Sequence, residues 1–175
     1  MSELDGMLAA NRDFQSDFKA GETPMPPARK VAIVTCMDAR IHPEQALGLA
    51  IGDAHMIRNA GGRVSDDALR SLVISSRLLG TNEFAVIHHT DCGMLTFTNN
   101  DLRSKLRDET GEDTSHIDFL PFPDLEQSVR DDVAAILASP LIDDSIPVSG
   151  YIYSVRTGGL DQVVAPTTAA AEARA

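Results

Sequence analysis

The sequence has no tryptophan, only two cysteines among 175 residues, and few basic side chains. Two cysteines exclude a disulfide-knit scaffold, and a chain of this length can bury a single-domain core without such staples or a structural metal. Fifteen Lys and Arg against 26 Asp and Glu leave a net charge of −11, which argues against nucleic acid or an anionic membrane as partner and fits something small and neutral. No apolar run approaches the roughly 18 residues of a membrane span. The opening MSELDGMLAANRD is acidic and polar, where a secretory signal is basic and then apolar. The expected location is the cytoplasm, where thiols serve as ligands or nucleophiles more often than they form a disulfide. No G-x-G-x-x-G or P-loop pattern is present to cradle a nucleotide.

What is present reads as one domain over residues 1–175. Leu4, Met7, Leu8, Phe14 and Phe18 form an apolar stripe at helical spacing, so residues 1–20 are expected to be an appended arm helix that needs a surface to lie on. Val31–Thr35 is short, β-branched and continuous, the pattern of a strand buried on both faces of a parallel sheet. A short helix is expected from Pro43 to Leu49, then a weaker strand HMIRNA running into a Gly61-Gly62 turn. Ser65 caps a helix carrying Leu69, Leu72, Val73 and Leu79 up to Gly80. FAVIHHT is the clearest strand, and after a polar stretch with one short helix, Leu125, Val129, Val133, Ile136 and Leu137 mark another helix. SGYIYSVRT is read as the last strand, and residues 165–175 as a frayed tail. Alternation of strand and helix predicts an α/β fold with a mostly parallel central β-sheet flanked by helices.

In such sheets ligands collect outside the carboxyl ends of the strands, where the winding reverses. Cys36 ends one apolar run and opens CMDAR; His89 and Cys92 leave another in HHTDCGM. If those strands are neighbours, two thiolates and one imidazole converge, a donor set suited to zinc. Three protein ligands leave the fourth tetrahedral position open, as in catalytic zinc sites. Asp38 could fill that position, but Arg40, two residues on, can take the same carboxylate in a bidentate pair and keep it off the metal. His88 would face the other side of its strand and is expected to be packed or hydrogen-bonded; His42, His55 and His116 sit in unrelated contexts. Gly61-Gly62 reads as a tight turn, with an anion cradle as the lesser use.

The sequence C-x-D-x-R at the end of an early strand, then RNAGG, then H-x-x-C as HHTDCGM, resembles the β-class carbonic anhydrases, from roughly Lys30 to Met94 and more weakly to about residue 164. The resemblance implies Cys36, His89 and Cys92 as ligands of one Zn2+ per chain, and Asp38 with Arg40 as an orienting dyad. It implies zinc-dependent hydration of carbon dioxide to bicarbonate by zinc-bound hydroxide, with hydrolysis of carbonyl sulfide or carbon disulfide at the same site as the alternative. A non-catalytic zinc or redox-sensing domain is the reading from another class. The resemblance further implies an N-terminal helix packing on a partner subunit in a homodimer or dimer of dimers. The chain is short for the family, and without tryptophan the non-catalytic bicarbonate pocket of its regulated members is expected to be missing.

Overall fold

The computed structural model describes residues 2–173. The elements run α1 (Glu3–Asp17), β1 (Val31–Cys36), α2 (Pro43–Ala46), β2 (Ala54–Asn59), α3 (Asp66–Leu79), β3 (Glu83–His89), α4 (Asn99–Thr110), α5 (Leu125–Leu137), β4 (Val148–Tyr153), β5 (Leu160–Thr167) and α6 (Ala169–Glu172). Short 3-10 turns at Ala60–Gly62 and Gly93–Leu95 follow β2 and β3.

The sheet has the order β2-β1-β3-β4-β5. The first three pairings are parallel and the last is antiparallel. From β1 the chain winds outward to β2, then returns to β1's other side for β3, so the winding reverses between β1 and β3. That crevice is where an open α/β sheet offers a binding site. Register fixes what lies beside it: Cys36 pairs with Asn59, Thr35 with Ile87, and His89 with Tyr153.

The central strands are apolar on both sides because both faces are covered. Ala32, Val34, Phe84, Val86 and Val148 are fully buried and join Leu72 of α3 and Val133 and Ile136 of α5 in one core. α3 starts where the Ser65 side chain accepts from the Ala68 amide and stops at Gly80, left-handed with φ 75°. α5 is capped by Asp124, and its buried stripe includes two polar residues, Ser128 and Asp132, next to Val129 and Val133.

Two regions depart from expectation. The segment from residue 165, expected to be frayed, completes β5 through Thr167 and continues into one helical turn capped by Thr168. β5 was hidden by its mixed composition and by Pro166, which antiparallel pairing at the sheet edge tolerates; it covers the edge that β4 would otherwise present. The helix expected over Pro43–Leu49 is a single turn, with Gly48 at φ 63°. α1 forms, closed by a Ser2–Asp5 capping box, yet none of its residues is buried. Leu4 is 66% and Met7 62% exposed, and Leu8, Phe14 and Phe18 are also open.

Candidate metal centre

Cys36 is the last residue of β1 and His89 the last of β3, so the pairing of these two strands brings both side chains to one sheet edge. Cys92 follows three residues on, after Asp91 turns the chain with φ 58°. All three residues are buried, and the two sulfurs and a His89 ring nitrogen lie within 4.8 Å of one another.

The donor set fits a soft or borderline dication. His89 Nδ1 lies 2.9 Å from the Thr90 carbonyl oxygen, an acceptor, so Nδ1 carries the proton and Nε2 keeps its lone pair. That Nε2 is buried with no hydrogen-bond partner. The proximity of the Cys92 thiol, with smaller contributions from His89 and from the backbone at Asp38 and Gly61, lowers Cys36 to about 4 against the opposing effect of burial. The nearby Cys36 sulfur and then burial push Cys92 upward. For His89, burial opposes the cation, but the adjacent Cys36 sulfur outweighs it and the net direction is up. Two thiols and an imidazole competing for protons at one point are the sort of group from which a dication displaces protons.

Asp38 and Arg40 form a fork at the rim of this cluster. Arg40 Nε donates to Asp38 Oδ1 at 3.0 Å and Nη2 to Oδ2 at 2.8 Å, and the Arg40 amide adds a bond to Oδ1 at 2.9 Å. The arginine side-chain bonds hold the Asp38 carboxyl well below the usual carboxylate range. Oδ2 lies 3.8 Å from His89 Nε2, so the carboxylate is close to the three donors while both its oxygens are engaged elsewhere.

Sequence reasoning missed three contributors. Asp91 accepts from Arg40 Nη1 at 2.6 Å, and its carbonyl from Nη2 at 2.9 Å, so Arg40 is clamped from both loops. Arg58 donates to the carbonyl oxygens of Cys36 at 3.0 Å and Asp38 at 2.8 Å, which fastens the CMD segment to β2. Asp132, on the far side of the sheet, accepts from Arg63 at 2.8 Å and lies 3.0 Å from His88. The signal for Asp132 was in the helical periodicity, since position 132 falls on the apolar stripe of α5. His88 is fully buried and hydrogen-bonded, as its strand position implied. The Gly61-Gly62 pair is a turn with φ 82° and 69°. His55 is remote, bonded to Ser75 at 2.7 Å.

The sequence profile of the carbonic anhydrase family matches residues 31–119. β-Carbonic anhydrase 1 of Mycobacterium tuberculosis is 46% identical over 165 residues, spanning 93% of this chain and 99% of that protein. The chain belongs to the β-carbonic anhydrase family. Among solved members, the carbonic anhydrase of Streptococcus mutans superposes with a TM-score of 0.90 at 51% identity, covering 93% of this chain and 98% of that one. Carbon disulfide hydrolase of Saccharolobus solfataricus is also similar, 39% identical over 76% of each chain. The family thus includes proteins named for two substrates.

Proposed function

We propose that this β-carbonic anhydrase hydrates carbon dioxide to bicarbonate at a zinc centre held by Cys36, His89 and Cys92. The observation that carries the reading is the Arg40 fork: the carboxylate beside three metal-suited donors has both oxygens occupied by an arginine, so a zinc ion held by those donors would keep a position open to solvent. Zinc in such a site supplies Lewis acidity that brings the pKa of a water from 15.7 toward roughly 7.

The protein's own residues do the rest. Asp38, kept ionised by Arg40, can only accept, so it orients a nucleophilic oxygen by accepting a hydrogen bond from it and directing a lone pair at the substrate carbon. Arg40, held by Asp91, keeps Asp38 from swinging onto the metal. Thr90 fixes the His89 tautomer and Arg58 fixes the CMD segment. Ile41, Met94 and Phe122 pack around the two cysteines and make the surroundings apolar, as suits a neutral linear substrate. The same residues would serve carbon disulfide, and the similarity to the Saccharolobus enzyme keeps that substrate in the test.

The test measures zinc content and both activities on one preparation. One zinc per chain, fast stopped-flow proton release from carbon dioxide and slow sulfide release from carbon disulfide are expected. Vigorous sulfide release with feeble hydration would reverse the substrate order, and Cys36→Ser or Cys92→Ser protein that keeps its full zinc would refute the ligand set.

The reading extends to assembly. The apolar stripe of α1 supports a homodimer, or a dimer of dimers, in which each arm lies on the partner subunit; a lone chain gives those side chains no cover. Deletion of residues 2–20 is expected to lower the mass seen by light scattering or to cause precipitation. An active, soluble monomer of the full chain would overturn it. No described helix is long and apolar enough to cross a membrane, and the paired thiols suit the reducing cytoplasm proposed as its location.

A further inference from the structure

Beside the ligand His89 stands His88, a residue the chemistry above does not use. Strand alternation sends it to the opposite face of β3, where it is fully buried and stacks on Phe122 with ring centroids 5.4 Å apart. Its Nδ1 meets Ser128 Oγ at 2.7 Å and its Nε2 meets the Gly62 carbonyl oxygen at 3.2 Å. Asp132 Oδ2 lies 3.0 Å from the same Nε2. Carbonyl and carboxylate oxygens only accept, so Nε2 carries a proton and donates. Asp132 is held in turn by Arg63 Nε at 2.8 Å, and Arg63 donates to the Leu120 carbonyl at 3.1 Å. A buried ion pair, a serine and an aromatic ring thus fix one imidazole, whose Nε2–H is directed at the Gly62 carbonyl with Asp132 Oδ2 beside it.

That carbonyl belongs to the residue that lies against the metal centre. A Cβ at Gly62 would stand 2.9 Å from both the Cys36 amide nitrogen and the Thr35 carbonyl carbon, so this turn rests directly on the backbone that presents the first ligand. A shift of the turn would therefore move the backbone under Cys36.

We propose that His88 is a positioning residue for the metal centre: its Nε2 bond to the Gly62 carbonyl fixes the 60–62 turn against Cys36 and so sets the aim of that thiolate. The proposal rests on the metal assignment above. It differs from simple core filling because it depends on which end of the imidazole is retained. Glutamine places its amide near the Nε2 position and can still reach Gly62; asparagine places its amide near Nδ1 and cannot.

The test uses the full-length protein loaded with zinc, and the same protein exchanged with cobalt(II), whose thiolate charge-transfer band reports on the Cys36–metal bond. His88→Asn is expected to release zinc to a chelator about tenfold faster than wild type and to shift that band, while His88→Gln stays within about twofold on the same scale. Wild-type rates and an unmoved band in both variants would overturn the proposal. So would equal changes in both that track a common fall in Tm. Ser128→Ala trims a single oxygen and leaves the Gly62 bond with one anchor fewer, so it carries the test if the His88 variants do not fold: faster zinc release supports the proposal, and a wild-type rate overturns it. A wild type that takes up neither metal would instead refute the metal assignment, and this inference with it.

Discussion

Two arginine–aspartate pairs lie on either side of the strand end that carries His88 and His89, and their surroundings make them unlike. Arg40 and Asp38 meet at 2.8 Å at the rim, with side chains 47% and 17% exposed. Arg63 and Asp132 meet at the same 2.8 Å beneath the sheet, 14% and 4% exposed. The contact distance is identical, so the difference comes from the solvent. At the rim, water screens the charges, and the pair contributes little to stability while its geometry stays available for chemistry. In the interior each charge has lost its hydration, and the partner and hydrogen bonds must replace it. The rim pair is thus suited to a working dyad and the buried pair to a clamp.

Breaking the buried pair from one side should have the largest effect. Asp132→Ala leaves Arg63 and the Nε2 side of His88 without their shared acceptor, and loss of one partner of a buried pair costs about 3–5 kcal/mol. Denaturant unfolding of the zinc-loaded protein should show this as a lowered midpoint. A change near zero would mean that water reaches Arg63 and that the two pairs are more alike than their exposures indicate.

At the rim the same kind of truncation should reverse the pattern, with activity lost and stability nearly kept. Arg40→Ala frees Asp38 to approach the metal and misplaces the nucleophile, a loss on the order of a hundredfold in kcat/KM. In the double variant Asp38→Ala/Arg40→Ala no carboxylate remains to block the fourth position, so the two losses should not add. Steady-state hydration assays of Asp38→Ala, Arg40→Ala and the double variant give the coupling directly. Strict additivity would mean that Arg40 acts without Asp38.

The contrast between the pairs also marks which convergences of side chains were legible in the sequence. Cys36, Asp38, Arg40, His89 and Cys92 lie in two short segments at strand ends, and strands of parallel sheets announce themselves by continuous β-branched runs. Arg40's second partner was not legible, because Asp91 reaches it only through a left-handed residue 51 positions away in sequence. The buried clamp joins positions 63, 88, 128 and 132, and no local rule links a histidine on a strand to a carboxylate on a helix before the two have packed. One trace of it was visible: a serine and an aspartate on the buried stripe of α5, polar where burial demands a partner. β5 was missed for a related reason, since a half-exposed edge strand lacks the apolar alternation that identifies its neighbours.

The smallest expected effect concerns acid, and it isolates the rim pair. Arg40 lowers the Asp38 carboxyl in the folded protein well below its ordinary value of 3.8. A depressed folded value means that the unfolded chain takes up the proton first. The stabilisation from this group is therefore complete above the ordinary carboxylate range and disappears as pH falls through that range toward the folded value. Asp38→Asn removes the titration while keeping the shape. With zinc chelated in both proteins, so that metal release does not enter, wild type should melt slightly higher than Asp38→Asn at pH 7, and the gap should narrow only below about pH 4. A gap that is constant from pH 7 to pH 3 would show that Arg40 does not hold the Asp38 carboxylate in solution, and the rim pair would then lose the fixed geometry on which its proposed role depends.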